Sequence, residues 1–523
     1  MPADEFGSTA AAAYDLGDFG ETTSLSGSIA QLGDQDWFSF TATVSGSVTF
    51  QVAATGEMQA RWETAAAVPN TATAEGDLLS FSVTAGQSYA VGLATSAALG
   101  HYTLEVSIEP AAAETDWGTV RQGTFDGYQI DADGRQFTLT AAADGLLSVE
   151  AFFAHADGDV DLELFDAAGR LLGASYSSSD YERIDVAAAA GDSFTLRAST
   201  YGGGVNHAVD FRATNLVRQD GQNVYVSGTA GDDVFSFAAG TRHQIEINGV
   251  EYQFAAAAVQ SITFNGGAGN DSAVLFDSPG DELFITAPGY GGMFGPGFKV
   301  QAFDCQQITA YAAAGDDTAR LYDSAGDDTF VATPGYAGMF AADSANHVHG
   351  FDTVVAFATA GGHDSARFYD SPGDDTFDAN PIEAVLCGTG FYNRAKFFEE
   401  VHAFATAGGH DVAWLYDSAE NDAFYSNTVE SAMFGAGFYN RAKFFEQLHA
   451  ESIGGDDRAY LYDSSGDDHL QAAADRAWLA AGGAVEWLYG FEYVRAQGTG
   501  GGQNTAEIAA VDFLLELDGF NLI

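Results

Sequence analysis

The chain has 523 residues, 46% of them hydrophobic, which is enough for several folded domains. It carries 74 acidic residues against 19 lysines and arginines, a formal net charge of −55 at pH 7. Such a surface repels nucleic acids and anionic lipids, so we expect neither as a partner. No apolar run is long enough for a spanning helix, so we expect no membrane insertion. The charge requires counter-ions, either diffuse salt or bound divalent cations.

Short alternating hydrophobic runs, separated by Gly, Asp, Asn and Ser, recur from end to end. This pattern is typical of an all-β protein. Breaks in composition near residues 109–114 and 216–222 divide the chain. We expect a tail, two β-domains and a repeat region with a C-terminal cap, at residues 1–18, 19–109, 114–216 and 222–523.

The two N-terminal domains share loose motifs. Asp34-Gln-Asp36-Trp37-Phe38 lies in the first, and both domains have a Gly-x-x-Tyr/Phe strand, Gly86–Tyr89 and Gly191–Phe194. These motifs resemble the bacterial pre-peptidase C-terminal domain family. The resemblance implies small jelly-roll β-sandwiches that serve secreted proteins as accessory or binding modules, some of which bind calcium. By that resemblance the candidate ligands are Asp34, Asp36, Asp157, Asp159 and Asp161. The same residues also fit turn-forming aspartates that hydrogen-bond to their own backbone.

From about residue 226 the chain repeats itself. The tripeptide FDS at Asp277 returns as YDS at Asp323, Asp370, Asp417 and Asp463, with spacings of 46, 47, 47 and 46 residues. A constant period of this size predicts units that stack on their neighbours. Each unit holds five short β runs, which fit two turns of a parallel β-helix. The predicted fold is therefore all-β, with two jelly-roll β-sandwiches followed by a parallel β-helix or solenoid of 46–47-residue repeats.

The run before each DS alternates small or aliphatic residues with large polar or aromatic ones. We expect Ala366 and Phe368 inside the coil and Arg367 and Tyr369 outside. The tyrosines of successive repeats would then form one stacked column. Such a column packs along the sheet, or it binds sugar faces or another protein.

Two series of acidic turns, eleven residues apart, follow the strands. Their glycines permit the positive φ of a tight corner, and their aspartates either cap the turn or ligate a hard cation. If each repeat made one coil turn, the acids would form ladders at about 4.8 Å and would require cations between them. With two coil turns per repeat, which we favour, the acids would stand about 10 Å apart, near one Debye length at ~0.1 M salt. The candidate metal ligands are Asp232, Asp233, Asp271, Asp281, Asp316, Asp317, Asp327, Asp328, Asp364, Asp374, Asp375, Asp411, Asp456, Asp457, Asp467 and Asp468.

Two stretches, Gly228–Asp233 and Gly266–Asp271, resemble the calcium-binding repeats of RTX (haemolysin-type) proteins. The resemblance implies calcium held between adjacent turns of a parallel roll. The nonapeptides are not in tandem in this chain, which leaves open whether the turns bind calcium or only cap corners. The complete repeat also resembles long arrays in large exported bacterial proteins, which implies an extracellular or cell-surface location.

No singular catalytic constellation stands out, because the acids are spread evenly through the repeats. The repeated basic residues, Arg394 with Lys396 and Arg441 with Lys443, are expected to pair with acids such as Glu399 and Glu446.

We therefore expect a non-enzymatic extracellular or cell-surface structural or adhesive protein, stabilised by calcium. Its partners would be further copies of itself or an extracellular glycan or protein. The alternatives are an accessory carbohydrate- or protein-binding region of a larger secreted protein, or a β-helix polysaccharide lyase or glycosidase.

Overall fold

The structure, a computed structural model, describes residues 6–523 except 21, 30, 32, 55–59, 66–72, 76, 96–99, 111–112, 132–133 and 204. The chain forms two compact units, Met1–Asn215 and Leu216–Ile523. Their regular structure is almost entirely β-strand, which confirms the predicted fold class. Within the described residues no helix is long and apolar enough to cross a membrane. The short 3-10 segments are Ala10–Ala12, His155–Asp157 and Tyr201–Gly203.

The first domain is a sandwich of two sheets. Its strands are β1 (Tyr14–Phe19), β2 (Thr23–Ile29), β3 (Gln35–Ala42), β4 (Gly46–Ala54), β5 (Ala60–Thr64), β6 (Thr73–Glu75), β7 (Leu78–Val83), β8 (Ser88–Thr95) and β9 (Gly100–Pro110). One sheet has the order β1-β3-β8-β5 and the other β2-β9-β4-β7-β6. Residues 14–18 fall within the predicted tail but lie in β1, because Tyr14 pairs in parallel with Phe38 of β3.

The second domain repeats this strand order except at its sixth strand. Its strands are β10 (Ala113–Val120), β11 (Gln122–Ile130), β12 (Arg135–Ala141), β13 (Gly145–Phe152), β14 (Val160–Asp166), β15 (Leu171–Ser175), β16 (Tyr181–Ala188), β17 (Ser193–Thr200) and β18 (Asn206–Asp220). The sheets are β10-β12-β17-β14-β15 and β11-β18-β13-β16. In both domains the first strand pairs in parallel with the third, and the two sandwiches differ only in the sixth strand, because β6 pairs with β7 whereas β15 pairs with β14.

The second unit is the solenoid. Its strands are β19 (Asn223–Ser227), β20 (Val234–Ala238), β21 (Arg242–Ile247), β22 (Val250–Ala255), β23 (Ser261–Asn265), β24 (Ser272–Phe276), β25 (Leu283–Ala287), β26 (Gly289–Gly295), β27 (Phe298–Cys305), β28 (Gln307–Tyr311), β29 (Thr318–Tyr322), β30 (Thr329–Thr333), β31 (Tyr336–Phe340), β32 (Ala345–His349), β33 (Thr353–Phe357), β34 (Ser365–Tyr369) and β35 (Thr376–Ala379). The remaining strands are β36 (Glu383–Gly388), β37 (Phe391–Lys396), β38 (Glu400–Phe404), β39 (Val412–Tyr416), β40 (Ala423–Ser426), β41 (Glu430–Gly435), β42 (Phe438–Lys443), β43 (Gln447–Glu451), β44 (Arg458–Tyr462), β45 (His469–Ala474), β46 (Arg476–Ala481), β47 (Ala484–Tyr489), β48 (Tyr493–Gln497), β49 (Thr505–Val511), β50 (Leu514–Asp518) and β51 (Asn521–Leu522).

These strands form two long sheets. In the first, the order is β19-β23-β27-β26-β25-β29-β33-β37-β36-β35-β39-β43-β47-β46-β45-β49-β51. In the second, it is β22-β21-β20-β24-β28-β32-β31-β30-β34-β38-β42-β41-β40-β44-β48-β50. The predicted β-solenoid is confirmed.

Each repeat consists of a three-stranded antiparallel meander followed by two single strands. The strands β35, β36 and β37 form a meander in the first sheet, β38 lies in the second, and β39 returns to the first. The next meander, β40 to β42, is then in the second sheet. A repeat therefore makes one and a half turns, and successive meanders alternate between the sheets. Five strands per repeat were predicted correctly, whereas two full turns per repeat was wrong.

The predicted alternation within the strands is confirmed. Ala366 and Phe368 of β34 are fully buried inside the solenoid, while Arg367 is exposed on the outside. Aliphatic and aromatic side chains therefore fill the space between the sheets. Most charged residues of the solenoid lie in the solvent or in the turns, and Glu486 of β47 is a buried exception.

The tyrosines do not form the single column that we expected. Tyr322 lies in the first sheet and Tyr369 in the second, because each repeat advances by one and a half turns. Two of the rings instead stack on an aromatic ring in the next strand of their own sheet, with Tyr322 4.9 Å from Phe357 and Tyr369 5.1 Å from Phe404 between ring centroids. Opposite Tyr416 and Tyr462 the next strand carries Glu451 and Gln497. Since neighbouring rings cover these faces, the contacts pack the outer surface of the sheet.

Candidate cation-binding corners

A corner is the turn that carries the chain from one sheet to the other. The corner between β34 and β35 reads Asp370-Ser371-Pro-Gly373-Asp374-Asp375. The Ser371 backbone N–H donates to Asp375 Oδ2 at 2.7 Å, its hydroxyl donates to the same oxygen at 2.8 Å, and its Oγ accepts Gly373 N–H at 3.1 Å. The same serine–aspartate bonds shape the corners at Ser324, Ser418 and Ser464.

The next corner, before β39, stacks on this one. The Asp375 N–H donates to Asp411 Oδ1 at 2.9 Å, and the Ala407 N–H donates to Asp370 Oδ2 at 2.8 Å. Gly409 allows the close approach, because its φ is +123° and a Cβ there would lie 2.2 Å from the Gly373 carbonyl oxygen. The two corners are thus joined by carboxylates that accept backbone donors in both directions.

Three carboxylates meet where the corners stack. Asp370, Asp375 and Asp411 are all buried, and each offers an oxygen that lies within 4.8 Å of the oxygens from the other two. We call such a group a carboxylate triad. The described residues contain four triads, namely Asp277/Glu282/Asp317, Asp323/Asp328/Asp364, Asp370/Asp375/Asp411 and Asp417/Asp422/Asp457.

The triads concentrate negative charge in a place with little water. Burial, reinforced by neighbouring carboxylates, raises the pKa of Asp364 and of Asp411 to about 6. Burial and the contact with Asp457 raise the pKa of Asp417 to about 7. Burial also raises the pKa of Glu282. The four triads therefore hold carboxylates whose charge is not compensated by the protein.

No basic or amide side chain of the described residues donates to a triad carboxylate. The corners near the two ends of the array differ, because Asn248 donates to Asp233 at 2.6 Å and Asn504 donates to Asp463 at 2.9 Å. At those two corners a neutral side-chain amide therefore donates a hydrogen bond to a carboxylate. The four triads between them have serine, threonine and backbone donors only.

Several triad oxygens have no hydrogen-bond partner at all. They are Glu282 Oε2, Asp417 Oδ2 and Asp422 Oδ1, each on a buried side chain. A buried carboxylate oxygen without a hydrogen-bond partner lowers the free energy of unfolding by about 2 kcal/mol or more. A hard cation is the group that carboxylate-only donor sets accept. The triads can therefore hold metal ions, and their all-oxygen donor set suits a hard cation better than a thiol- or imidazole-seeking one.

The structure distributes the sixteen candidate ligands over three environments. Six belong to triads, namely Asp317, Asp328, Asp364, Asp375, Asp411 and Asp457. Three are buried in the outer corners, namely Asp233, Asp271 and Asp468. Seven are exposed, namely Asp232, Asp281, Asp316, Asp327, Asp374, Asp456 and Asp467. Five of the exposed ones cap a backbone N–H of the next corner, as Asp374 does for His410 at 2.8 Å.

Six triad members were missed from the sequence. They are the aspartates of the DS tripeptide, Asp277, Asp323, Asp370 and Asp417, together with Glu282 and Asp422. The signal was present, because each DS aspartate stands five residues before the second acidic turn. It was used only to measure the period of the repeat.

The acids are also closer together than the predicted 10 Å. Asp375 precedes β35 and Asp411 precedes β39, and these two strands are direct neighbours in one sheet. The two series of turns therefore interleave along each sheet at the spacing of adjacent strands, about 4.8 Å. We expected distant acids with a mild mutual repulsion, whereas the structure places carboxylates directly beside one another.

The basic residues have different partners from those expected. Arg394 and Lys396 pair with Glu383, the lysine at 3.5 Å, because Glu383 lies opposite Lys396 across the β36–β37 hairpin. Glu399 instead accepts the backbone N–H of Asp364 at 2.8 Å. The next repeat shows the same partners. Arg441 and Lys443 pair with Glu430, while Glu446 accepts the backbone N–H of Asp411.

The aspartates of the sandwiches form no triad among the residues described there. Asp36 is buried and accepts the Tyr102 hydroxyl at 2.5 Å. Asp159 Oδ1 lies 3.1 Å from His155 Nδ1, and Asp157 is exposed. The arrangement of cation-type oxygen groups is therefore a property of the solenoid.

Comparisons with known proteins add little to this description. No family model and no curated protein matches the chain. The pre-peptidase C-terminal domain of the collagenase from Bacillus anthracis is similar at 13% identity, covering 20% of this chain and 94% of its own, with a TM-score of 0.17. The CUB1-EGF-CUB2 domains of rat MASP-1 match at 10% identity, over 39% of this chain and 100% of theirs, with a TM-score of 0.14.

A further match is the catalytic unit of the thermostable GH87 α-1,3-glucanase from Streptomyces thermodiastaticus. It is 10% identical and covers 77% of this chain and 96% of its own, with a TM-score of 0.14. At such values the function has to be argued from the residues of this chain.

Proposed function

We propose that the chain is a non-enzymatic extracellular or cell-surface repeat protein, with a stiff solenoid scaffold that calcium completes at the carboxylate triads. The observation that carries this proposal is the fourfold repetition of a carboxylate triad, buried except for the half-buried Asp277, to which no basic or amide side chain among the described residues donates. Repetition of one arrangement at equivalent corners is what a structural role requires. A catalytic role would need one place that differs from the rest.

Calcium is favoured by the donor chemistry and by the rigidity of the corners. It accepts six to eight oxygens in flexible geometry, whereas magnesium demands near-ideal octahedra and keeps its water. Asp375 and Asp411 are fixed by backbone hydrogen bonds and cannot rearrange freely around a small ion. Weak extracellular calcium sites have dissociation constants on the order of 10⁻⁴–10⁻³ M, so such sites fill in a calcium-rich medium outside the cell.

In this proposal the triad carboxylates and their bound cation hold neighbouring turns of the solenoid together. Asp370 and Asp375 belong to one corner and Asp411 to the next, so a cation bound by all three links neighbouring turns. In a solenoid each turn contacts only its neighbours, and stability therefore depends on such nearest-neighbour links. Further copies of the chain or an extracellular glycan or protein are the proposed partners of this scaffold.

Thermal unfolding of the metal-stripped full chain tests the proposal. With calcium at ~10 mM and a dissociation constant of ~1 mM, each filled site adds about 1.4 kcal/mol. Four sites together give a rise in melting temperature that is well outside experimental error. Magnesium and sodium chloride at matched ionic strength should give a much smaller rise.

Two neighbouring aspartates provide matched variants for this experiment. Asp411→Asn removes a triad charge, and Asp374→Asn removes an exposed charge in the same stack of corners. The repeat itself uses both replacements, since Asn504 accepts the N–H of Asp468 and Asn421 accepts the N–H of Asp456. Calcium should stabilise Asp374→Asn as it does the parent chain, and Asp411→Asn less. An equal response of all three proteins, or of calcium and sodium chloride, would refute the proposal.

A further inference from the structure

A pocket of about 610 Å³ opens at one corner of the solenoid. Its walls come from the β35–β36 turn, the corner after β39 and the corner before β44. The polar wall includes Asp378, Tyr416 and Asp417, and the apolar wall includes Pro381, Ile382 and Ile453. The volume lies within the range of small-molecule sites, about 300–1,000 Å³.

Asp378 is a departure from the repeat. It is the third residue of the first meander strand, and the equivalent residues of the flanking repeats are Val331 and Tyr425. In β35 it faces outward between Val385 and Trp414 of the neighbouring strands. A carboxylate at this place is therefore not required by the fold of the repeat.

Ile453 is a second departure. Its backbone N–H donates to the DS aspartate of the corner, Asp417, at 2.8 Å. Ala360 and Ala407 make the same bond in the preceding repeats, so alanine is sufficient for the structural role. The isoleucine side chain is 65% exposed and adds little to the core.

The two departures are far apart in sequence and line one pocket. Ile382, which is 58% exposed, adds a further aliphatic surface beside them. Exposed aliphatic side chains gathered around a concavity indicate a binding surface. This corner therefore differs from the equivalent corners in two residues that line its pocket.

The charge of the pocket restricts its ligand. No lysine, arginine or histidine lies among its lining residues. Burial and the charge of Glu383 raise the pKa of Asp378, and Asp417 Oδ2 has no hydrogen-bond partner. An anion would be repelled, and a purely apolar molecule would leave both carboxylates unsatisfied. An ammonium group brings three donors and a positive charge, and the Tyr416 ring offers a further favourable contact.

We propose that this pocket binds a protonated primary alkylamine, with the ammonium group at Asp378 and Asp417 and the alkyl chain against Ile382 and Ile453. A free amine and the side chain of a lysine on a partner protein present the same chemistry. The proposal goes beyond the calcium-dependent scaffold and does not require bound calcium. Asp378 belongs to no triad, whereas Asp417 does, so a calcium ion at that triad would compete with the ammonium group.

Calorimetric titration of the full chain with hexylammonium chloride tests the proposal, in 150 mM NaCl with a chelator to remove calcium. We expect saturable binding of one molecule per chain, with a dissociation constant on the order of 1 mM or tighter. Methylammonium lacks the alkyl chain and 1-hexanol lacks the charge, so each should bind at least tenfold more weakly. Equal binding of hexanol would refute the role of the carboxylates, and binding of the neutral sugar maltose in place of hexylammonium would identify a different ligand class.

Three variants separate the pocket from diffuse counter-ion binding. Asp378→Asn removes the charge without changing the size of the side chain, and Ile453→Ala restores the residue of the other repeats. Both should weaken hexylammonium binding about fivefold or more. Val429→Ala trims the aliphatic residue that stands where Ile382 does, one repeat later, and should change nothing. Uptake that does not saturate, or that is the same in all three variants, would refute the proposal.

A second titration in 10 mM CaCl₂ distinguishes this proposal from the calcium proposal. If the triads bind no calcium, hexylammonium binding is unchanged by the salt and remains sensitive to Asp378→Asn. If they do bind it, a cation at the triad of Asp417 competes and weakens hexylammonium binding. Absence of hexylammonium binding in both buffers overturns only the pocket.

Discussion

Replacing Asp411 by asparagine should stabilise the protein when calcium is absent. Asp411 is buried beside Asp370 and Asp375, and its Oδ1 accepts the Asp375 N–H at 2.9 Å. An asparagine oxygen can accept the same bond, as Asn504 does for Asp468. The substitution therefore removes a buried charge and keeps the hydrogen bond between the corners.

The size of the effect follows from the pKa of Asp411. Burial raises it from 3.8 to about 6 in the folded chain, so folding disfavours the ionised form. A shift of about two units corresponds to about 3 kcal/mol at neutral pH. Because the folded-state pKa is raised, the stabilising contribution of the protonated form is complete below pH 4 and is lost as the pH rises through 6. The asparagine variant does not lose this contribution. Above pH 7 we therefore expect its melting temperature to be about 5 °C higher than that of the parent chain.

The assay is thermal unfolding of the parent chain and the variant, with a chelator, at pH 4 to 8. The advantage of Asp411→Asn should shrink below pH 6 and almost vanish at pH 4. Adding calcium to ~10 mM should narrow the difference by about 1.4 kcal/mol, because the parent chain keeps a cation site that the variant has lost. A variant that is less stable than the parent in chelator at pH 7.5 would show that the triad is not a repulsive cluster, and the argument for a bound cation would fail.

Two further predictions concern the backbone and the interior of the solenoid. Gly409→Ala should destabilise the chain by about 2–4 kcal/mol in chemical denaturation, since a Cβ would clash with the Gly373 carbonyl. Gly390→Ala, with positive φ but open space around it, should cost about 1 kcal/mol. Burial raises the pKa of Glu486 to about 8, so its stabilising protonated form is lost as the pH rises towards 8. Glu486→Gln keeps an acceptor for Ser426 and should be more stable by about 3 kcal/mol at pH 7 but equal near pH 4, as denaturation at both pH values will show.

Much of the architecture was predictable, because it depends on local patterns. The alternation around Arg367 fixes which side chains face the interior, and it holds in the structure. The 46–47-residue period predicts stacking, and the number of strands per repeat follows from the β runs. These features depend on neighbours in sequence or on copies of the same sequence.

The number of coil turns per repeat and the triads were not predicted correctly, because both depend on which sheet each successive strand joins. The strand β36 runs antiparallel to its neighbours, and nothing in its composition distinguishes it from a strand that continues the coil. That reversal changes two turns per repeat into one and a half. It also places Asp411 of one repeat against Asp370 and Asp375, a contact across 36 or more residues.

The most direct test of the account is a count of calcium ions bound per chain. Equilibrium dialysis of the full chain in 150 mM NaCl, with calcium raised to ~10 mM, should reveal about four saturable sites, one for each triad. Their dissociation constants should be on the order of 10⁻⁴–10⁻³ M. Asp411→Asn should lose one site and Asp374→Asn none. Uptake that does not saturate, or that is identical in the two variants, would contradict the account and leave the aspartates as caps of the corners.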